Sequence, residues 1–196
     1  MNESIYNDNF FKSHTTPGTV WEKGYAPIAR ALVGTMGKPF SAWDMGCGIG
    51  SLMDALFELG CDVMGMEGSV AALPYITPRM MYRISFGDIL ADHPTPYVDM
   101  TICTEVAEHL PPGRADRLVE VIANVKSPHV YFTAASPGQG GVNHVNEQLP
   151  HYWMDRFYKC GYELSFPMTS DLRGRLAGSP LTWYTRNSML FERRRG

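Results

Sequence analysis

Residues 40–59 carry the sharpest pattern in the chain. Phe40, Ala42, Trp43 and Met45 form an apolar run bounded by Pro39 and Gly46, and Leu52, Met53, Leu56 and Phe57 then recur at helical spacing up to Gly60. These spacings predict a strand and a helix joined by a turn that has glycine at 46, 48 and 50. Upstream, Ile28, Leu32 and Met36 share one face of residues 25–36, and Pro27 predicts a helix start there. Residues 1–19 are polar, include Pro17 and Gly18, and carry Tyr6, Phe10 and Phe11, so they are expected to wrap the surface or lie over a cleft. Trp21 and Tyr25 stand beside that segment, placed either to cover the cleft or to pack on the sheet.

Downstream, further strands are expected at 61–66, 80–86 and 97–103, the last preceded by a loop at 92–96. A helix at 114–126, with Leu118, Ile122 and Val125 on one face, leads to a fifth strand at 128–135. A helix at 152–158, stopped by Gly161, leads to closing strands at 162–166 and 187–193. Between these two strands, residues 167–186 read as one long connection, whose Arg173, Arg175, Trp183, Tyr184 and Arg186 are available to shape a binding pocket. Five strand-and-helix units followed by two closing strands make an α/β chain.

Composition narrows this picture only a little. The chain has 196 residues, 44% hydrophobic and 12% aromatic, which suits one domain with an adequate core. That domain spans residues 1–196, with 1–36 as an N-terminal cap and helix and 40–193 as the core. The polar, acidic start resembles no signal peptide and no apolar run reaches membrane-spanning length, so a cytoplasmic protein with no membrane partner is expected. Cys47, Cys61, Cys103 and Cys160 are widely spaced and read as free thiols. A net charge of −3 offers no extended footprint for nucleic acid, and Arg193, Arg194 and Arg195 read as a solvated tail.

The turn carries the first chemistry. Glycine lets the backbone turn sharply and lets a ligand approach unshielded N–H groups. A dinucleotide-binding turn, G-x-G-x-x-G, would need glycine at 51, where this chain has Ser51. A dehydrogenase would also leave the residues after the third and fourth strands without a purpose. The stretch Asp44-x-Gly46-x-Gly48-x-Gly50 instead resembles the first motif of the class I S-adenosylmethionine-dependent methyltransferases. Glu67 ends the second strand 23 residues beyond Asp44, Asp88-Ile89 follows the third strand, and Glu105-Val-Ala-Glu-His109 follows the fourth. Their register at successive strand ends is the family's order. The resemblance covers residues 40–193 and implies a Rossmann-like, seven-stranded, mostly parallel sheet with helices on both faces and the last strand inserted antiparallel.

The resemblance also implies roles. Asp44, Gly46, Gly48 and Gly50 would face the methionyl part of S-adenosylmethionine, whose positive charges suit an acid. Glu67 would accept from the ribose hydroxyls or cap the following helix, Asp88 would accept from the adenine amine with Ile89 on the ring, and Glu105 would complete the cofactor set. Residues 136–148, glycine-rich and holding Gln139, Asn143, His144 and Asn146, stand where an acceptor should bind. His144 and His109 are the candidate bases for an acceptor that loses a proton, or else a loop organiser and a helix-start residue.

Glu105, Glu108, His109 and His144 also resemble the magnesium site of small-RNA 2′-O-methyltransferases, although many relatives carry the same residues with no metal. The expected function is methyl transfer to an oxygen or nitrogen of a small molecule or polymer end. The alternatives are a catalytically silent cofactor-binding module and a metal-assisted RNA methyltransferase.

Overall fold

The computed structural model describes residues 6–15, 20–92 and 96–194, with the backbone alone for 20–23. The expectations for Pro17 and Gly18, for the Trp21 side chain, for residues 93–95 of the loop and for Arg195 lie outside the described residues. The chain opens with helix α1 (Asp8–His14), capped by the Asn7 side chain, which accepts from the N–H groups of Asn9 and Phe10. Helix α2 (Val20–Met36) follows, and Pro27 lies inside it rather than at its start.

Strand β1 (Ser41–Met45) feeds the glycine turn and α3 (Ser51–Glu58). Strands β2 (Asp62–Glu67), β3 (Ile84–Phe86), β4 (Met100–Thr104) and β5 (His129–Thr133) run parallel to β1. Helix α4 (Ala115–Asn124) connects β4 to β5, and α5 (Pro150–Lys159) leads into β6 (Tyr162–Leu164). Strand β7 (Met189–Arg193) pairs antiparallel with both β5 and β6. The seven strands lie in the order β3-β2-β1-β4-β5-β7-β6, so the seven-stranded, mostly parallel sheet expected from the sequence is present.

Alternation along the strands sends side chains into two cores. One holds Ala42, Val63, Ile102, Tyr131 and Leu190 against Ile28 and Leu32 of α2 and Leu52 and Leu56 of α3. The other holds Val130, Phe132 and Phe191 against Leu118 and Ile122 of α4 and Trp153 and Phe157 of α5. Phe157 stacks on Phe191 at 4.2 Å between ring centroids and meets Phe132 edge-on at 5.2 Å. The four described cysteines are free.

Two expectations need correction. Residues 167–186 are not a bare connection but hold α6 (Phe166–Arg175) and α7 (Thr182–Asn187). Pro167 starts α6 and Leu172 buries it in the first core, while α7 brings in Leu181 and Tyr184. The strand expected at 80–86 is cut to three residues, because Met80 and Met81 both donate to the Thr77 carbonyl and fold the chain into turns. No helix among the described residues is long and apolar enough to cross a membrane.

Candidate active site

The carboxyl ends of β1, β2, β3, β4 and β5 surround one cavity of about 1110 Å³, more than a single drug-sized ligand needs. At one end stands the glycine turn. Gly46, Gly48 and Gly50 all have positive φ, at +82°, +57° and +80°. A Cβ on Gly46 would come within 2.5 Å of Val106, and one on Gly50 within 2.9 Å of Ile84, so close packing as well as backbone conformation demands glycine there. Gly48 differs, since nothing lies within 4 Å of its Cβ position and it faces the cavity. Gly50 stands off the cavity wall: it precedes α3 and packs beneath the turn.

Asp44 and Glu67 stand behind and beside this turn. The Glu67 carboxylate accepts from Gly48 N at 2.9 Å and from Ser69 N at 2.8 Å, bracing the turn against the 3-10 segment Val70–Tyr75. Asp44 is 3% exposed, and its Oδ1 has no hydrogen-bond partner. Burial, with Glu67 nearby, pushes its carboxyl up to about 7. An orphaned acid at the head of a ligand-sized cavity fits a cationic ligand group. Asp88 and Ile89 line the same end, where an Asp88 oxygen accepts from Leu90 N at 3.0 Å.

The α1 segment covers this end. Phe11 is buried and Tyr6 nearly so, and they pack with Phe10, Ile49 of the turn and Phe86 of β3. Ser69 donates to the Tyr6 carbonyl and Tyr75 to Asp8, so the cover is tied to the 3-10 segment. The aromatics expected to lie over a cleft therefore do so, joined by His14 on the cavity wall.

At the other end, His109 does not start a helix but closes a 3-10 turn, Ala107–His109. Glu105 precedes it in the left-handed region, at φ +55°, a strained conformation for a residue with a side chain. Its N–H and its carboxylate both bond Thr133 Oγ1, at 3.0 and 2.7 Å, and hydrogen bonds from Asn187 and Gln139 hold the carboxylate further. Gln139 is oriented in turn, because its oxygen accepts from Arg186 at 2.9 Å and Asn187 at 2.8 Å. Of the arginines at 167–186, Arg186 thus reaches the site, whereas Arg175 pairs with Asp171 and Arg173 bonds the Ser188 carbonyl. Tyr25, Trp183 and Tyr184 complete the wall there.

Glu108 is fully buried behind this wall. Ala135 N donates to its Oε1 at 3.1 Å, and its carboxyl lies against that of Glu105, close enough for the two to share a proton. Burial, then Glu105, raises its pKa well above the carboxylate range. His109 and His144 face each other edge-on, 5.0 Å between centroids, and Tyr6 meets His109 from the other side at 5.6 Å. His109 Nδ1 donates to the Asn143 carbonyl at 3.3 Å, and desolvation by burial, with His144 close by, brings the ring down to about 4. The nitrogen of His109 left for a ligand is therefore Nε2.

Glu108, His109 and His144 each bring one donor atom within 4.8 Å of the others, and Glu105 stands outside that group. One carboxyl group and two imidazoles whose Nδ1 atoms are already engaged are a donor set that would fit a divalent ion once Glu108 gives up its proton. The sequence missed Glu147, whose carboxylate accepts from His144 Nδ1 at 2.9 Å, because it reads as an ordinary surface acid.

None of the protein-family models compared with the chain matches it. The ubiquinone biosynthesis O-methyltransferase of Alkalilimnicola ehrlichii is 32% identical over 116 residues, 54% of this chain and 45% of that protein, so the chain matches less than half the length of this curated relative. Among solved structures, magnesium protoporphyrin IX methyltransferase from Synechocystis PCC 6803, with bound S-adenosylhomocysteine, superposes with a TM-score of 0.72 at 15% identity, over 98% of this chain and 97% of that one. The [4+2]-cyclase SpnF superposes with a TM-score of 0.62 at 12% identity, over 93% and 85% of the two chains. Strand order, glycine turn and superposition agree that this chain has the fold of the class I S-adenosylmethionine-dependent methyltransferases.

Proposed function

We propose that the chain is an S-adenosylmethionine-dependent methyltransferase acting on an oxygen or nitrogen of a small molecule or polymer end. The observation that carries this reading is the orphaned Asp44 carboxyl at the head of a cavity that runs from the glycine turn to the two histidines. Asp44 accepts from the cofactor's ammonium, and Gly46, Cys47 and Gly48 of the turn, whose N–H groups are spent on Met66 and Glu67, pack along its methionyl part. Glu67 spends one lone pair on each of Gly48 and Ser69 and keeps others for ribose hydroxyls. Asp88 accepts from the adenine amine, Ile89 packs on the ring, and α1 shuts water from that end. Bound there, S-adenosylmethionine supplies an electrophilic methyl group. His144 takes the proton that the acceptor loses, while Glu105, fixed by Thr133 and Gln139, completes the cofactor set beside it. The relatives named for ubiquinone biosynthesis and magnesium protoporphyrin IX support a small-molecule acceptor.

The convergence of one donor atom each from Glu108, His109 and His144 favours a second reading of the same site, with a divalent ion held by these three residues. When bound, that ion would polarise an acceptor hydroxyl.

Isothermal titration with S-adenosylmethionine, S-adenosylhomocysteine and NAD, in wild type and Asp88→Ala, tests the proposal. Saturable binding of the first two, much weakened by the substitution, supports it and leads to an acceptor screen with and without magnesium. Binding of NAD alone overturns it. Binding of the cofactor with no turnover of any acceptor would point to a silent module, or to other chemistry on this fold, as in the cyclase.

A further inference from the structure

One side chain closes the loop that follows β5. Glu147 Oε2 accepts from Gly138 N at 2.7 Å, and its Oε1 accepts from Gly140 N at 2.7 Å and His144 Nδ1 at 2.9 Å. Three donors from one loop thus converge on one carboxylate. The same loop is stitched to the 3-10 turn, since Val145 N and Asn146 N both donate to the Glu108 carbonyl, at 2.9 and 3.0 Å. Gly141 completes the fit: at φ +155° it leaves room for the imidazole, whereas a Cβ there would lie 2.3 Å from His144 Nε2.

We propose that Glu147 is a positioning residue that fixes both the closed form of this loop and the tautomer of His144. A carboxylate only accepts, so the bonded Nδ1 carries the proton and the lone pair of the neutral ring is left on Nε2. Nε2, packed against Gly141, is thereby made the basic nitrogen for the proton transfer. This consequence rests on the function proposed above, whereas the tautomer and the loop closure do not.

Long-range proton–nitrogen NMR of ¹⁵N-histidine-labelled protein at about pH 8.5, where imidazole is neutral, reads the tautomer directly. Hydrogen exchange reads the amides of Gly138 and Gly140. Wild type is expected to show His144 protonated on Nδ1, with both amides protected. Glu147→Leu should move the proton to Nε2 and speed both amides at least tenfold, with S-adenosylmethionine affinity within about twofold of wild type. The isosteric Glu147→Gln should keep an acceptor for Nδ1 yet release at least one amide, which holds the test if the leucine variant does not fold. Methyl transfer should fall about 10- to 100-fold in kcat for Glu147→Leu. A wild-type His144 protonated on Nε2, or a tautomer and exchange rates untouched by both substitutions, would overturn the proposal. Failure of the methyltransferase reading alone would appear as a wild type without turnover whose tautomer still responds to Glu147.

Discussion

Asp44 sets a condition on the whole site. Its carboxyl, raised to about 7 by burial and by Glu67, must be ionised to meet an ammonium group. S-adenosylmethionine affinity should therefore fall by up to tenfold per pH unit as pH drops below 7, as titration calorimetry from pH 5.5 to 7.5 would read. The same shift acts on the ligand-free fold with the opposite sign. A carboxyl whose folded pKa lies above its unfolded value contributes its stability at low pH and loses it as pH rises through about 7. Thermal unfolding of the ligand-free protein should therefore show a loss of no more than about 4 kcal/mol from this group between pH 4 and 8. Asp44→Asn should flatten both profiles and weaken the cofactor severely; a flat wild-type affinity would remove Asp44 from the ammonium site. At the opposite end, Glu105→Gln keeps the shape but changes what Thr133, Gln139 and Asn187 hold. It should weaken S-adenosylmethionine binding by about tenfold with the sheet intact, as calorimetry and circular dichroism would report.

Elements set how these residues are covered and aimed. Helix α1 is short, yet Phe11 and Tyr6 anchor it over the glycine turn. Deleting residues 1–15 should weaken S-adenosylmethionine binding by about tenfold or more and leave the sheet folded, as calorimetry and circular dichroism would report. Much of this level was legible in the sequence. The apolar runs placed Asp44, Glu67 and Asp88 at or near strand ends, and the resemblance to the methyltransferase motifs singled them out there. Tyr6, Phe10 and Phe11 were legible because three aromatics in a polar segment need something to cover. Helix α6 was not, since its buried residues are only Thr169 and Leu172, and neither Pro167 nor Gly174 speaks for a helix interior. Helix α7 has six residues, too few to show a period. Glu147 stayed hidden because its partners are two backbone N–H groups and one histidine, which exist only once the loop has closed.

At the scale of the molecule, two cores lie on the two faces of one sheet, and the cavity opens along its carboxyl edge. Phe157→Ala would open the second core where Phe132, Tyr162 and Phe191 meet, far along the sheet from the turn. It should cost about 3–5 kcal/mol in denaturant unfolding, with cofactor affinity preserved in whatever fraction stays folded. Strand β7 carries a different kind of consequence. It is the last strand in chain order yet occupies an inner place, between β5 and β6. Met189, Leu190 and Phe191 are all buried there. A nascent chain that has emerged only as far as α7 holds five parallel strands, while β6 has no neighbour to pair with and the flank of β5 stands open. During synthesis the sheet therefore waits, exposed to wrong pairings, until the final strand arrives to join its two halves.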